Sequence, residues 1–146
     1  MTDDEFLAAF EAAAIPRPEW THAAHIRMAW LYLTRFSQAD ALDRVRLGIQ
    51  KLNAQNGVLD GYHETITVAF VRLISARLLQ EESSAAFRSR NPDLFECSLA
   101  PLLKHYTRER LFSPESRARF MEPDLEHLPS FVSGSVCPRV NSQSAD

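Results

Sequence analysis

The sequence predicts an all-α protein, a single compact bundle of five to seven helices followed by a disordered C-terminal tail. Apolar residues recur every three or four positions in several segments, which is the spacing of an amphipathic helix. No segment alternates apolar and polar residues as a strand does, and four glycines are few for a turn-rich β fold. The 146 residues fit one domain, so we predict a helical domain over residues 1–130 and a disordered tail over residues 131–146.

Two helices are predicted in the N-terminal part of the chain. The first is expected to begin after a cap by Asp3 or Asp4 and to end before the two prolines that follow it. Pro18 suits the first turn of the second helix, because a helix start does not need its missing N–H. We predict this second helix over residues 18–36.

The next two helices are predicted to supply most of the core, together with the second. Ser37 is a favourable N-cap for the third helix, and Gly57 suits the position just after its end. The third helix carries one apolar stripe at helical spacing: Leu42, Val45, Ile49 and Leu52. The fourth is expected to run from Gly61 or Tyr62 to about Gln80 and is apolar around most of its girth, so we predict that it is the central helix.

The remaining helices are predicted to be shorter. Ser83 opens a polar segment, and Asn91 starts a helix that is expected to reach about Lys104. Residues 104–110 are expected to form a solvated helix end. Ser113 followed by proline is a typical cap-and-start pattern, which predicts a last short helix.

Composition and charge exclude several classes of function. The net charge is −3 with no basic stripe, so nucleic acid is not an expected partner. No apolar run has the length that a membrane span needs. The first five residues include three acidic residues and no basic one, where a signal peptide would be basic, and two distant cysteines do not make a disulfide scaffold. We therefore predict a cytoplasmic protein that does not enter a membrane.

The most informative feature is a Trp-Thr-His-Ala-Ala-His motif over residues 20–25. A helix advances 100° per residue, which places His22 on the same face as Ile26 and Ala29. His25 lies about 60° away on that wheel. Both histidines are therefore predicted to face the core, one helical turn apart.

A second motif, Gly-Tyr-His-Glu-Thr-Ile-Thr, covers residues 61–67. On the predicted fourth helix His63 lies at the centre of the apolar face, with Thr67 one turn below and Glu64 on the flank. Burying a polar group without a partner costs roughly 1–3 kcal/mol. If the second and fourth helices pack with these ends together, the three histidines converge.

A metal site is one interpretation of this convergence. Neutral imidazoles of His22, His25 and His63 would bind a divalent transition metal, zinc or iron, with one position left open. Glu64 would then be a fourth ligand, a partner of a ligand or a general base. The pattern is not the His-Glu-x-x-His of metalloproteases, because Thr67 occupies the last position.

Two further interpretations use the same residues without a metal. In one, His63 and Glu64 are catalytic acid–base groups in a polar pocket lined by Trp20, Tyr62 and Thr67. In the other, the histidines are structural and hydrogen-bond a carbonyl or a neighbouring loop. The sequence leaves all three interpretations open.

The two motifs together resemble a family of small all-helical microbial proteins of unsettled function. That family also carries a Ser-Pro-Glu segment, here residues 113–115, and a later Pro-Asp-Leu, here residues 123–125. The resemblance covers roughly residues 5–130, and its motifs are specific as a set. It does not imply that the group binds a metal. It implies that one group of residues acts together: Trp20, His22, His25, Tyr62, His63, Glu64 and Thr67.

Two function classes follow as expectations. The first is a small-molecule enzyme with a His/Glu site between two helices, with or without a metal, of lyase, isomerase or hydrolase type. The alternative is a non-catalytic helical module that binds a small ligand or regulates a partner. A structural subunit that forms a homodimer through its helices is a third, simpler expectation.

Overall fold

The computed structural model describes residues 1–130 and confirms the all-α class. The predicted disordered tail lies outside the described residues. Within them the chain forms nine α-helices, more than the five to seven predicted, because the C-terminal part is divided into short helices. They are α1 (Asp3–Glu11), α2 (His22–Arg35), α3 (Gln38–Gln55), α4 (Glu64–Ala76), α5 (Ser84–Arg90), α6 (Pro92–Phe95), α7 (Ala100–Leu103), α8 (Arg108–Leu111) and α9 (Pro114–Ala118).

The core lies where α2, α3 and α4 pack against one another, as predicted. The helix α2 also packs against α1, α5 and α6, so it is at least as central as α4, which additionally contacts α7 and α9. All four apolar residues of the predicted α3 stripe are buried. None of the helices over residues 1–130 is both long and apolar enough to cross a bilayer.

The second helix begins later than predicted, at His22 rather than near Pro18. Residues 17–19 form a separate 3₁₀ turn. The side chain of Thr21 accepts a hydrogen bond from the backbone N–H of Ala24 at 3.2 Å, which makes Thr21 the N-cap. Both motif histidines therefore lie in the first turn and a half of α2.

The predicted cap of the first helix is also corrected, by one residue. Thr2 rather than Asp3 or Asp4 precedes α1, and its side chain accepts the N–H of Glu5 at 3.1 Å. The carboxylate of Glu5 accepts the N–H of Thr2 in return, at 2.8 Å. This reciprocal pair satisfies two donors at once, which an aspartate cap alone would not do.

The long helix predicted after Asn91 is divided, because Pro101 lies within it. Proline lacks the N–H of a helix interior and its ring clashes with the carbonyl four residues earlier, so α6 ends at Phe95 and α7 restarts with Pro101 in its first turn. The solvated end predicted over residues 104–110 is exposed at Lys104, Arg108 and Glu109 but is wrong at Tyr106. Tyr106 is fully buried, and its hydroxyl donates to the carbonyl oxygen of Met121 at 2.6 Å.

Candidate functional site

A cavity of about 320 Å³ lies between α2, α3 and α4. This volume is at the lower end of the range for small-molecule sites. Its walls are mainly aliphatic and aromatic, with Ile26, Ile49 and Phe70 among the lining residues. Five of the seven predicted site residues also line it: His22, His25, Tyr62, His63 and Thr67. Trp20 and Glu64 do not line the cavity. Trp20 packs against His25, and Glu64 accepts a hydrogen bond from Tyr62.

His22 holds a defined tautomer. Its Nε2 lies 2.8 Å from the carbonyl oxygen of Leu94, which can only accept, so Nε2 carries the hydrogen and donates. The ring packs edge-on against Phe70, with the ring centroids 5.3 Å apart. In the neutral ring Nδ1 is therefore a bare lone pair, and it has no hydrogen-bond partner within residues 1–130.

His25 holds the opposite tautomer. Its Nδ1 lies 2.7 Å from the carbonyl oxygen of Thr21 and must donate to it, which leaves Nε2 bare. The ring stacks on the indole of Trp20 at a centroid distance of 3.9 Å. Burial lowers the pKa of His25 and the nearby His22 adds to this, against the opposing effect of the Thr21 carbonyl. The ring is consequently neutral at neutral pH.

Trp20 supports this site rather than lining the cavity. Its indole lies between the rings of His25 and Phe10, and the centroid distance to Phe10 is 5.3 Å. Such stacking fixes the plane of the His25 ring while leaving its edge free.

His63 is the N-cap of α4 and not, as predicted, a residue of the helix interior. Its Nδ1 accepts the backbone N–H of Ile66 at 3.1 Å, and its Nε2 donates to the carbonyl oxygen of Leu111 at 2.8 Å. Both ring nitrogens are occupied. Burial is the main cause that lowers the pKa of His63, with Arg117 contributing.

The hydroxyl of Thr67 belongs to the same helix start. It donates to the backbone carbonyl oxygen of His63 at 2.8 Å, not to the ring. Its proton is therefore used by the protein, and its oxygen also contacts the hydroxyl of Tyr62.

Glu64 forms an ion pair that the sequence did not reveal. Arg46 on α3 contacts the carboxylate through Nε at 2.9 Å and also through Nη2. The hydroxyl of Tyr62 donates to the other carboxylate oxygen. The Glu64 side chain is only 15% exposed, so its charge is held by these two partners and does not reach the cavity.

Tyr62 connects this ion pair to the cavity. Burial, with further contributions from its hydrogen bond to Glu64 and the charge of that carboxylate, raises the pKa of Tyr62. The phenol therefore keeps its proton and directs it at Glu64. Glu64 positions Tyr62, and the oxygen of Tyr62 also bonds to the side chains of Thr67 and Arg46.

The predicted grouping of His22, His25 and His63 around one ion is not formed. Within residues 1–130 no three His, Cys, Asp or Glu side chains lie close enough together to hold a metal ion. The physical reason is that the helix cap and the Leu111 carbonyl use both nitrogens of His63. The same two contacts leave His63 without a free nitrogen for proton transfer, and the ion pair to Arg46 separates Glu64 from the cavity.

Two residues that sequence reasoning missed hold this arrangement in place. Arg46 on α3 forms the ion pair that neutralises Glu64. Arg117 on α9 donates to the carbonyl oxygens of Asp60 and Tyr62 at 2.6 and 3.1 Å, which fastens the loop that carries Tyr62. No sequence signal marks either contact, because the partners lie 18 to 57 residues away.

Comparisons with known proteins add no relative. No family model, no curated protein and no solved structure matches the chain. The resemblance to small helical microbial proteins therefore stays a prediction, and the site is interpreted from its own geometry.

Proposed function

We propose that the protein is a small-molecule enzyme that performs acid–base chemistry, of lyase, isomerase or hydrolase type, in the cavity between α2 and α4. One observation carries the proposal. His22 and His25 line a mainly apolar cavity, and each keeps one ring nitrogen without a partner within residues 1–130. His63, by contrast, has both ring nitrogens satisfied.

In this proposal His25 is the general base. Its bare Nε2 can take a proton, the Thr21 carbonyl fixes the ring through Nδ1, and the lowered pKa keeps the ring neutral. A charged ring would have no lone pair to offer. His22 supplies a second acceptor one turn earlier on the same helix.

The predicted catalytic pair of His63 and Glu64 takes positioning roles. His63 starts α4 at the wall of the cavity, and Glu64 orients the phenol of Tyr62. Neither residue offers a free atom to a substrate. The residues that we propose to act on the substrate are therefore His22 and His25 on α2.

A metal-assisted form of the proposal uses two histidines rather than three. The free nitrogens of His22 and His25 would hold a zinc or iron ion, since neutral imidazole suits both metals. Such an ion would polarise a carbonyl group or activate water.

A non-catalytic ligand-binding or regulatory module is the second candidate. It is favoured by the use of His63 and Glu64 in structural contacts, which leaves fewer groups for chemistry. We also propose a cytoplasmic location and a homodimer. Sedimentation of the purified chain tests the homodimer.

The direct test is incubation of the purified chain with a mixed extract of cellular metabolites, read by mass spectrometry. We expect one metabolite to be depleted and a product to appear with the same composition or with one water gained or lost. A His25→Gln variant should lower the rate by about a hundredfold, the smaller end of what general bases contribute.

The matched control is His105→Gln. His105 donates from Nδ1 to the carbonyl oxygen of Glu126, outside the cavity, so its variant should keep the wild-type rate. If the native protein changes no metabolite more than a heat-denatured sample does, the enzyme proposal fails and the ligand-binding module replaces it. Elemental analysis of the same sample tests the metal-assisted form.

A further inference from the structure

The side-chain hydrogens around the cavity all point into the protein. His22 donates to Leu94, and His25 donates to Thr21, each to a backbone carbonyl oxygen. The hydroxyl of Thr67 donates to the carbonyl oxygen of His63. Every one of these acceptors lacks a hydrogen of its own, so the direction of each bond is fixed.

The same holds for the remaining two polar side chains. The Tyr62 hydroxyl donates to the Glu64 carboxylate. His63 donates from Nε2 to Leu111 and accepts at Nδ1, so its ring offers nothing further. What the polar side chains leave for a ligand is two imidazole lone pairs, on His22 Nδ1 and His25 Nε2, because the Tyr62 oxygen also bonds to the side chains of Thr67 and Arg46.

We infer that the ligand of this cavity is an uncharged hydrogen-bond donor, a small alcohol with an apolar body, whose O–H is bound by these lone pairs. The inference rests on the proposed function for its choice of cavity. It adds the chemical class of the substrate, which the proposal leaves open.

Other ligand classes fit the same groups less well. A ketone or a carboxylate brings only lone pairs, which repel those of the two imidazoles. An ammonium ion brings donors, but the nearby carboxylate of Glu64 is already neutralised by Arg46 and shielded by Tyr62. A buried cation without a counter-ion is costly, and the aliphatic walls give it none.

An alcohol also matches the proposed base. The bare Nε2 of His25 would accept the O–H hydrogen of the bound alcohol, which brings the proposed base within hydrogen-bond reach of that proton.

Four probes of the same shape separate these classes: cyclohexanol, cyclohexanone, cyclohexylammonium and cyclohexanecarboxylate. Binding to the full chain is measured from the shift of the His25 ring-proton resonance during titration. We expect cyclohexanol to bind at least about fivefold more tightly than cyclohexanone, which is the ratio that one ordinary hydrogen bond gives. The two charged probes should bind more weakly than the alcohol.

Two variants test whether His25 causes the preference for cyclohexanol over cyclohexanone. His25→Leu should bring the two affinities together, measured from the methyl resonances of Ile26 and Ile49, whereas His105→Leu should leave the ratio unchanged. Equal or reversed affinity for the ketone, preference for a charged probe, or no binding of cyclohexanol would each overturn the inference. Tight alcohol binding without metabolite turnover would contradict the enzyme proposal and leave the alcohol inference standing. Failure of one proposal can therefore be told apart from failure of the other.

Discussion

His63 donates from Nε2 to the carbonyl oxygen of Leu111, at 2.8 Å and across 48 residues of sequence. Because the same ring caps α4 through Nδ1, one side chain both starts a core helix and ties it to α8. The imidazole is thereby fixed in its neutral form. This contact separates the structural histidine of the site from the two that keep a free nitrogen.

Removing this ring should destabilise the fold. His63→Ala deletes a helix cap, which is worth about 1 kcal/mol, and leaves the Leu111 carbonyl without its donor, for roughly 1–3 kcal/mol more. We expect His63→Asn to recover the cap contribution only. Denaturant unfolding measures both free energies, and a loss below about 0.5 kcal/mol for the alanine variant would contradict this role.

Stability should fall as the solution becomes acidic. The folded-state pKa values of His25 and His63 lie below the ordinary 6.5, so the unfolded chain binds more protons as the pH is lowered through that value. The stability that neutral rings provide is complete above about 6.5 and is lost below it. Each histidine contributes a slope of at most about 1.4 kcal/mol per pH unit.

Thermal unfolding at a series of pH values checks this dependence. His63→Asn should reduce the slope on the acidic side, since the variant has no ring to protonate there. A slope that is unchanged in this variant would mean that other groups cause the acid sensitivity.

Gly48 should not tolerate a side chain. A Cβ at this position of α3 would lie 2.2 Å from Cε2 of Phe10, and Phe10 is fully buried against Trp20 and Tyr32. Overpacking costs about 1–3 kcal/mol, whereas alanine gains only about 1 kcal/mol in helix propensity. We expect Gly48→Ala to lower the free energy of unfolding by up to about 2 kcal/mol, the difference between these two effects.

A second background tests the cause of that loss. In Phe10→Leu, which removes the ring atoms that meet the new Cβ, Gly48→Ala should become neutral or stabilising. A loss of the same size in both backgrounds would exclude the steric explanation.

Local patterns predicted those parts of the fold that depend on neighbours in sequence. The predicted caps at Ser37 and Ser113 are present, each accepting a backbone N–H three residues later. Gly57 has the positive φ, 73°, that a helix end requires. These contacts are decided within one turn of chain, so residue type and spacing are sufficient to locate them.

The geometry of the site depends on contacts between residues that are far apart in the sequence. The carbonyl partner of His22 lies 72 residues away, and whether His63 is a helix residue or its cap changes where its ring points. The helical wheel placed His63 inside α4, and a shift of the helix start by two to three residues made it the cap. Residue types therefore indicated a polar group beside a cavity, but not which nitrogens stay free.

The tautomer and pKa of His25 test the account most directly. Long-range proton–nitrogen correlation spectra of the full chain, recorded over a pH titration, distinguish the two neutral tautomers and give the pKa of each ring. The account predicts the Nδ1–H tautomer for His25 and a pKa below its ordinary value of 6.5. A proton on Nε2, or a charged His25 ring at neutral pH, would remove the bare nitrogen and contradict the proposed site.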